Sequence, residues 1–386
     1  MDKPMALVKR VALFTGNYNH IADGVSRTLN RLVGYLERNG VDVLVFGPSV
    51  IEPAVSHAGE LVVVPSMPAP GRPEYRISTV MTAEVRRRLA DFDPTIIHVA
   101  TPDLLGLQAR RVALRKGIPL VATYHTHFSS YLSYYRMSVM ESSMWSYLKW
   151  FYKPFRHIYV PSNSMADVLR AHQIENGVEI WPRGVETNIF KPEHRNLNWR
   201  RRHGIADEDV VVSFISRLVW EKGPGVFADV VEALQAKHRR VKSMIVGDGP
   251  ARAELQGRLR NTLFLGHLES SELATAYAST DIFLFPSETE TFGNVTLEAM
   301  ASGVPAVCAD ATGSRSLVVP DETGYLVKPK DTARFIEVTE KLLLDDNLRK
   351  KMGENSLKRA AAYDWEAVLG KMVTFYDRLL EEAGLV

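Results

Sequence analysis

Two carboxylates bracket what reads as the bare start of a helix. In the run Ser287-Glu288-Thr289-Glu290-Thr291-Phe292-Gly293-Asn294-Val295-Thr296-Leu297-Glu298-Ala299-Met300-Ala301, Glu290 and Glu298 are separated by seven residues. The apolar run 281–286 before them predicts a buried strand, and Val295, Leu297, Ala299 and Met300 supply helical packing positions after Gly293. Glu290 then falls in the loop and Glu298 inside the helix. A helix opening at glycine offers free backbone N–H groups and the positive end of its macrodipole, so a phosphate can approach the main chain at Phe292, Gly293, Asn294 and Val295. Ionised Glu accepts through two oxygens and suits vicinal sugar hydroxyls, so one loop could hold a diphosphate with a sugar on either side. Taken alone, a pair at this spacing is more often a dipole-stabilising carboxylate and a surface Glu one turn on.

Other residues could serve the same chemistry. Ser216-Arg217-Leu218-Val219-Trp220-Glu221-Lys222-Gly223 places a guanidinium fork and an ammonium point charge in one turn, together suited to a diphosphate leaving group; the bland reading is a solvated loop. Gly247-Asp248-Gly249-Pro250 closes a strand and opens a helix. Gly247 and Gly249 suit a close approach of backbone to ligand, although Gly-x-Gly turns are common. Asp23-Gly24-Val25-Ser26 opens the first helix, either as a glycine loop with Gly24 near a ligand or as an ordinary N-terminus capped by Asp23. His125, in Tyr124-His125-Thr126-His127-Phe128, stands at a strand end. His-x-His hints at a metal, but no third ligand is evident.

These positions need a scaffold, and the chain supplies it. The short apolar runs 11–15, 41–46, 61–64, 95–99 and 119–124 alternate with helical patterns such as Val25, Leu29, Leu32, Val33 and Leu36. After a polar connector the pattern restarts with 210–215, 243–246, 262–265, the run before Pro286, and 306–308. The expected fold is α/β: two facing Rossmann-like, doubly wound parallel-sheet domains with an interdomain cleft, where ligands meet the carboxyl ends of the strands. The boundaries read as 1–195 and 196–364, with a terminal helix over 365–386 that could return to the first domain.

Composition narrows the function classes. With 386 residues there is room for two cores, and a net charge of +2 gives no argument for nucleic acid; the basic runs at 86–88, 110–111 and 200–203 read as solvated helix faces. No apolar run reaches the roughly 18–20 residues that span a bilayer, and Lys9-Arg10 interrupt any secretory h-region. The single cysteine, Cys308, rules out an intrachain disulfide framework and reads as packing. A reducing cytoplasm is the expected compartment.

Together the motifs resemble the large family of retaining glycosyltransferases with two facing Rossmann-like domains, the GT-B type, in which two Glu residues stand seven apart as they do here. The resemblance runs from Ala22 to about Tyr325. It implies that Arg217 and Lys222 neutralise the donor diphosphate, and that Glu290 and Glu298 hold the donor's sugar and ribose. It also brings the Gly247 loop near the nucleotide, faces Gly24 toward donor phosphate and acceptor, and places His125 beside the transferred sugar; His127 lies outside the pattern. Arg183-Gly184-Val185-Glu186-Thr187-Asn188-Ile189-Phe190 is similar to the family's Gly-Val-Asp-x-x-x-Phe hinge segment, with Glu186 where Asp is usual. Ser216 replaces a usual glycine. The implied reaction is transfer of a hexosyl unit from a UDP- or GDP-sugar, GDP-mannose among them, by front-face attack within an ion pair. It calls for no cofactor and no metal, and chance explains Asp91-Phe92-Asp93 and Asp207-Glu208-Asp209 better than a metal site does.

Two rival readings are a nicotinamide-dependent oxidoreductase, from Gly223-Pro224-Gly225-Val226-Phe227-Ala228 with Asp248 beyond the next strand, and a non-catalytic nucleotide-sugar binder. On the acceptor side, segment 128–157 interleaves Tyr131, Tyr134, Tyr135, Met137, Met140, Met144, Trp145, Tyr147, Trp150, Phe151, Tyr152 and Phe155 with Arg136, Lys149, Lys153 and Arg156. Such a mixture fits either peripheral contact with the inner face of the cell membrane or helices packed internally. Family members with a similar Asp-Gly-Val-x-Arg-Thr start often glycosylate lipids, so the resemblance implies a lipid or glycan acceptor.

Overall fold

Each β-branched run that ends at a polar or glycine stop forms a parallel strand, buried at the centre of its sheet and partly exposed at the edge strands Glu60–Val63 and Thr262–Gly266. The computed structural model describes residues 9–21, 23–69, 72–124, 141–290 and 292–385. The chain divides into one unit of Met1–Trp181 with Val368–Val386 and a second of Pro182–Ala367.

In the first unit the strands are β1 (Arg10–Phe14), β2 (Asp42–Gly47), β3 (Glu60–Val63), β4 (Ser66–Ala69), β5 (Arg72–Ser78), β6 (Ile96–Val99), β7 (Leu120–Thr123), β8 (His157–Val160) and β9 (Val178–Ile180). Seven of them form a parallel sheet in the order β3-β2-β1-β6-β7-β8-β9, while β4 and β5 pair as a separate antiparallel hairpin. Central strands such as β1, β6 and β7 are buried nearly throughout, as expected of a sheet covered on both faces. The C-terminal residues are part of this unit's core. Tyr376 Oη lies 2.6 Å from His98 Nδ1, Phe375 stacks on Tyr159, and Trp181 Nε1 donates to Val368 O.

The second unit contains β10 (Val210–Ile215), β11 (Val241–Val246), β12 (Thr262–Gly266), β13 (Ile282–Phe285), β14 (Ala306–Ala309) and β15 (Gly324–Val327). All pair in parallel, in the order β12-β11-β10-β13-β14-β15. The strand order reverses between β10 and β13, and the loops after these two strands are where a ligand is expected. Cys308 lies fully buried on β14, and burial pushes its thiol up to about 12, so it is packing.

The compact units divide between Trp181 and Pro182, whereas the expected domain boundary is residue 195. Residues after Pro182 pack into the second unit: Val185 N–H donates to Tyr363 O at 2.8 Å, and Arg195 pairs with Asp281 at 2.7 Å. One sequence reading needs correction: the basic run 200–202 is not simply a solvated face. Arg200 is fully buried, bonded to Asp281 Oδ2 at 2.8 Å and to the carbonyls of Ser279 and Asp209. Asp281 Oδ2 also accepts from Val211 N–H, so this ion pair ties the start of β13 to β10.

Candidate functional site

The carboxyl ends of β10 and β13 bring one cation and one carboxylate together. Lys222, in the short turn Trp220–Lys222, places Nζ 2.5 Å from Glu290 Oε1 and 3.4 Å from Thr289 Oγ1. Both charged side chains are mostly buried, at 12% and 17% exposure. Gly223 makes this approach possible. Its φ is +76°, and a Cβ there would lie 2.5 Å from the carbonyl oxygen of Pro286, so only glycine lets the Lys222 turn press against the end of β13. The main chain of Glu290 is held from the other side by Gly313, whose N–H donates to Glu290 O at 2.8 Å.

Beyond Glu290 the helix Asn294–Ala301 begins after Gly293 with no side chain capping its first amides. Those N–H groups and the helix dipole face whatever occupies the loop's mouth, an arrangement suited to an anion. Phe292 is buried against the ring of Tyr363 and anchors the turn, while Val295 packs partly against the core. Asn294 Oδ1 and Ser287 Oγ are buried without a hydrogen-bond partner among the described residues, as polar atoms left for a ligand or water are. One turn into the helix, Glu298 Oε2 accepts from Tyr277 Oη at 2.9 Å. Burial first and the Glu298 charge second raise the Tyr277 pKa well above its ordinary value, so the phenol stays a donor.

The Arg217 side chain is exposed and makes no hydrogen bond or ion pair with a described residue, so its fork is available. Its loop is shaped by the Gly247 turn: a Cβ on Gly247, at φ +131°, would sit 1.9 Å from Ser216 O. Leu218 N–H donates to Asp248 O, and Ala251 N–H to Leu218 O. The close approach that Gly247 and Gly249 permit in this structure is to the Arg217 loop itself. Asp248 binds Arg252 at 2.6 Å and the Gly249 amide. Gly223 comes after a separate turn well past the end of β10, not in a tight strand-to-helix phosphate loop, which weakens the dinucleotide reading.

In the first unit Gly24 opens the helix Gly24–Arg38, and its N-terminus is taken: Asp23 accepts from Val25 and Ser26 N–H, and Ser26 Oγ accepts from Asp23 N–H. Of the two readings of this segment, the structure displays the capped helix start, and an anion there would meet a carboxylate. His125, His127 and residues 128–140 lie outside the described residues. In the remainder of the aromatic segment, Trp145, Leu148, Phe151 and Tyr152 are core, whereas Tyr147 (37% exposed) and Trp150 (48% exposed) are not. Arg110 lies over the Trp150 ring at 4.4 Å. The Asp-x-Asp carboxylates are engaged elsewhere: Asp93 with Arg10, Asp91 with Arg87 and Asp207 with Arg201. No group of three or more metal-ligating side chains occurs among the described residues.

Sequence reasoning missed Tyr277 and Gly313. Tyr277 sits among apolar residues before β13 and carries no motif of its own; only its position on a buried helix face could have marked it.

Residues 196–359 match the model of "glycosyl transferases group 1", and residues 22–189 that of "glycosyltransferase family 4". A GDP-mannose-dependent alpha-mannosyltransferase of Mycolicibacterium smegmatis is 32% identical over 97% of this chain and 99% of its own. The sulfoquinovosyl transferase SQD2 of Arabidopsis thaliana is 29% identical over 94% of this chain and 72% of its own. Among solved structures, sucrose-phosphate synthase from Thermosynechococcus elongatus superposes with a TM-score of 0.75 at 21% identity, covering 97% of this chain and 100% of that one.

Proposed function

The chain belongs to the group 1 glycosyltransferases, and from that membership we propose that it moves a mannosyl unit from GDP-mannose, with retention of configuration, to a hydroxyl of a glycolipid or membrane-associated glycan. The observation that carries the proposal is the Lys222–Glu290 pair at the strand-order reversal, beside an uncapped helix start. The donor is taken from the GDP-mannose dependence of the Mycolicibacterium smegmatis relative; a UDP-sugar is the alternative.

In this reading Arg217, Lys222 and the amides from Phe292 to Val295 stabilise the negative charge that develops on the diphosphate as the bond from sugar C1 to phosphate oxygen breaks. The acceptor oxygen bonds to C1 on the face the diphosphate leaves, and its proton passes to a departing phosphate oxygen. Glu290 holds the sugar hydroxyls, and its contact with Lys222 links sugar recognition to the charge on the leaving group. Glu298 holds the ribose and Asn294 adds a polar contact, while Gly247 and Gly249 shape the Arg217 loop. By resemblance, His125 stands beside the transferred sugar and Gly24 near donor and acceptor. The two cations supply the charge compensation that a divalent metal supplies elsewhere, so turnover should survive EDTA.

No helix among the described residues is long and apolar enough to cross a membrane. The half-exposed Trp150 and Tyr147, with Arg110, Lys149 and Lys153 nearby in the fold, support peripheral contact with an anionic cytoplasmic leaflet.

The test is nucleoside diphosphate release from GDP-mannose and from UDP-glucose, with vesicles containing glycosyl diacylglycerol and phosphatidylglycerol, followed by NMR of the product's anomeric configuration. Release from GDP-mannose with an α-linked product supports the proposal. Release from UDP-glucose alone moves the donor class, a β-linked product removes retention, and release from neither donor contradicts the transferase.

A further inference from the structure

Glu298 is assigned to the donor's ribose, but a carboxylate recognises a diol well only when its plane is fixed, since free rotation costs rotamer entropy on binding. The structure supplies the fixing group. Tyr277, on the helix Ser270–Ala278, is fully buried and donates its hydroxyl to Glu298 Oε2 at 2.9 Å. The Tyr277 ring is in turn wedged by two others: Phe190 meets it edge to face at 5.5 Å between centroids, and Phe283 of β13 tilts against it at 6.2 Å.

Phe190 closes the Gly184-to-Phe190 segment, the one that resembles the family's hinge. The other end of that segment is bound to the chain just before the terminal helix. Val185 N–H donates to Tyr363 O, and Thr187 Oγ1 donates to Asp364 Oδ2 at 2.5 Å. Phe190 therefore projects from a segment pinned at its Val185–Thr187 end, and a contact of this kind between rings is worth more than its buried area alone.

We propose that Tyr277 is a positioning residue for Glu298, orienting its carboxylate for the donor's ribose hydroxyls, and that Phe190 holds Tyr277 in place. The inference rests on the ribose role given to Glu298, but not on which base the donor carries, because every candidate donor has the same ribose.

The experiment uses the full chain and measures by calorimetry the affinities for GDP and for 2′,3′-dideoxy-GDP. The same pair is run with uridine nucleotides if GDP does not bind, which separates a wrong donor class from a wrong role for Tyr277. A hydrogen bond to a charged group makes the wild type prefer the ribonucleotide by roughly tenfold or more. In Tyr277→Phe, which keeps the ring and its packing, that ratio falls to about one third of the wild-type value or less, while affinity for the dideoxy nucleotide is held. Phe190→Leu moves the ratio the same way by a smaller factor, and thermal melts confirm that both variants fold. A wild type indifferent to the ribose hydroxyls overturns the proposal. So does a Tyr277→Phe variant that keeps the full ratio, or one that weakens both nucleotides equally, as a merely structural residue would.

Discussion

Lys222 Nζ lies 2.5 Å from Glu290 Oε1, joining the loop after β10 to the loop after β13 across the point where the strand order reverses. Neither charge is fully exposed, so each depends on the other until a ligand arrives. A donor diphosphate and its sugar would take over the two partners separately, the phosphate drawing Lys222 and the hydroxyls drawing Glu290.

Replacing Glu290 with Ala should lower turnover by at least about 100-fold, the usual loss when a group that acts on the transition state is removed. The fold should persist, since the loop's main chain is held by the Gly313 N–H. Circular dichroism together with product formation reads both, and wild-type activity in this variant removes Glu290 from the mechanism.

Arg217 and Lys222 should separate stability from activity. Arg217 is exposed and unpaired among the described residues, so Arg217→Ala should change unfolding free energy by no more than about 0.5 kcal/mol. Lys222→Ala leaves the mostly buried Glu290 without its partner and should cost about 1–3 kcal/mol. Both variants should lose turnover. Urea unfolding with parallel assays tests the contrast, and equal destabilisation would mean that the two cations do not differ in this way.

Acid should weaken the first unit through His98. Its ring is fully buried, with Tyr376 Oη against Nδ1 and the Tyr159 ring at its edge, and burial lowers its pKa from 6.5 to about 3. Between those values the unfolded chain holds a proton that the folded chain does not. Stability is therefore complete above about pH 6.5 and falls on acidification, by up to about 1.4 kcal/mol per pH unit from this residue. Urea midpoints between pH 7 and pH 5 should drop more steeply in wild type than in His98→Gln; identical slopes would place the acid sensitivity elsewhere.

Trp150→Ala should weaken binding to phosphatidylglycerol vesicles several-fold, through loss of an exposed ring that Arg110 covers. Binding to neutral phosphatidylcholine vesicles should be weak for both proteins. Sedimentation with vesicles reads the difference, and unchanged binding would assign Trp150 to the protein's own surface alone.

Much of this is legible in the sequence. Both sheets were visible because central parallel strands such as 11–15 and 210–215 are apolar on both faces and end at polar or glycine stops. The elements that escaped lack that signature. The β4–β5 hairpin is rich in proline and arginine and lacks a continuous apolar run, β9 is a three-residue edge strand with no buried position, and β8 merges with the aromatic run before it. At the site, motif residues announced themselves by spacing. Tyr277 did not, because a buried tyrosine in a helix looks like core until its hydroxyl is found on Glu298. Arg200 was hidden for the opposite reason: charge in a basic run reads as solvated, and only tertiary pairing with Asp281 buries it.

The most direct test of the donor site is thermal stabilisation of wild type and Lys222→Ala by GDP, UDP, ADP and NAD. A ligand at about 100 times its dissociation constant adds roughly 2.7 kcal/mol to folding, a shift easily read. GDP should raise the melting temperature of wild type and raise it far less in Lys222→Ala, and NAD should raise neither. Stabilisation by NAD alone, or by GDP to the same extent in both proteins, would contradict the assignment of the donor site.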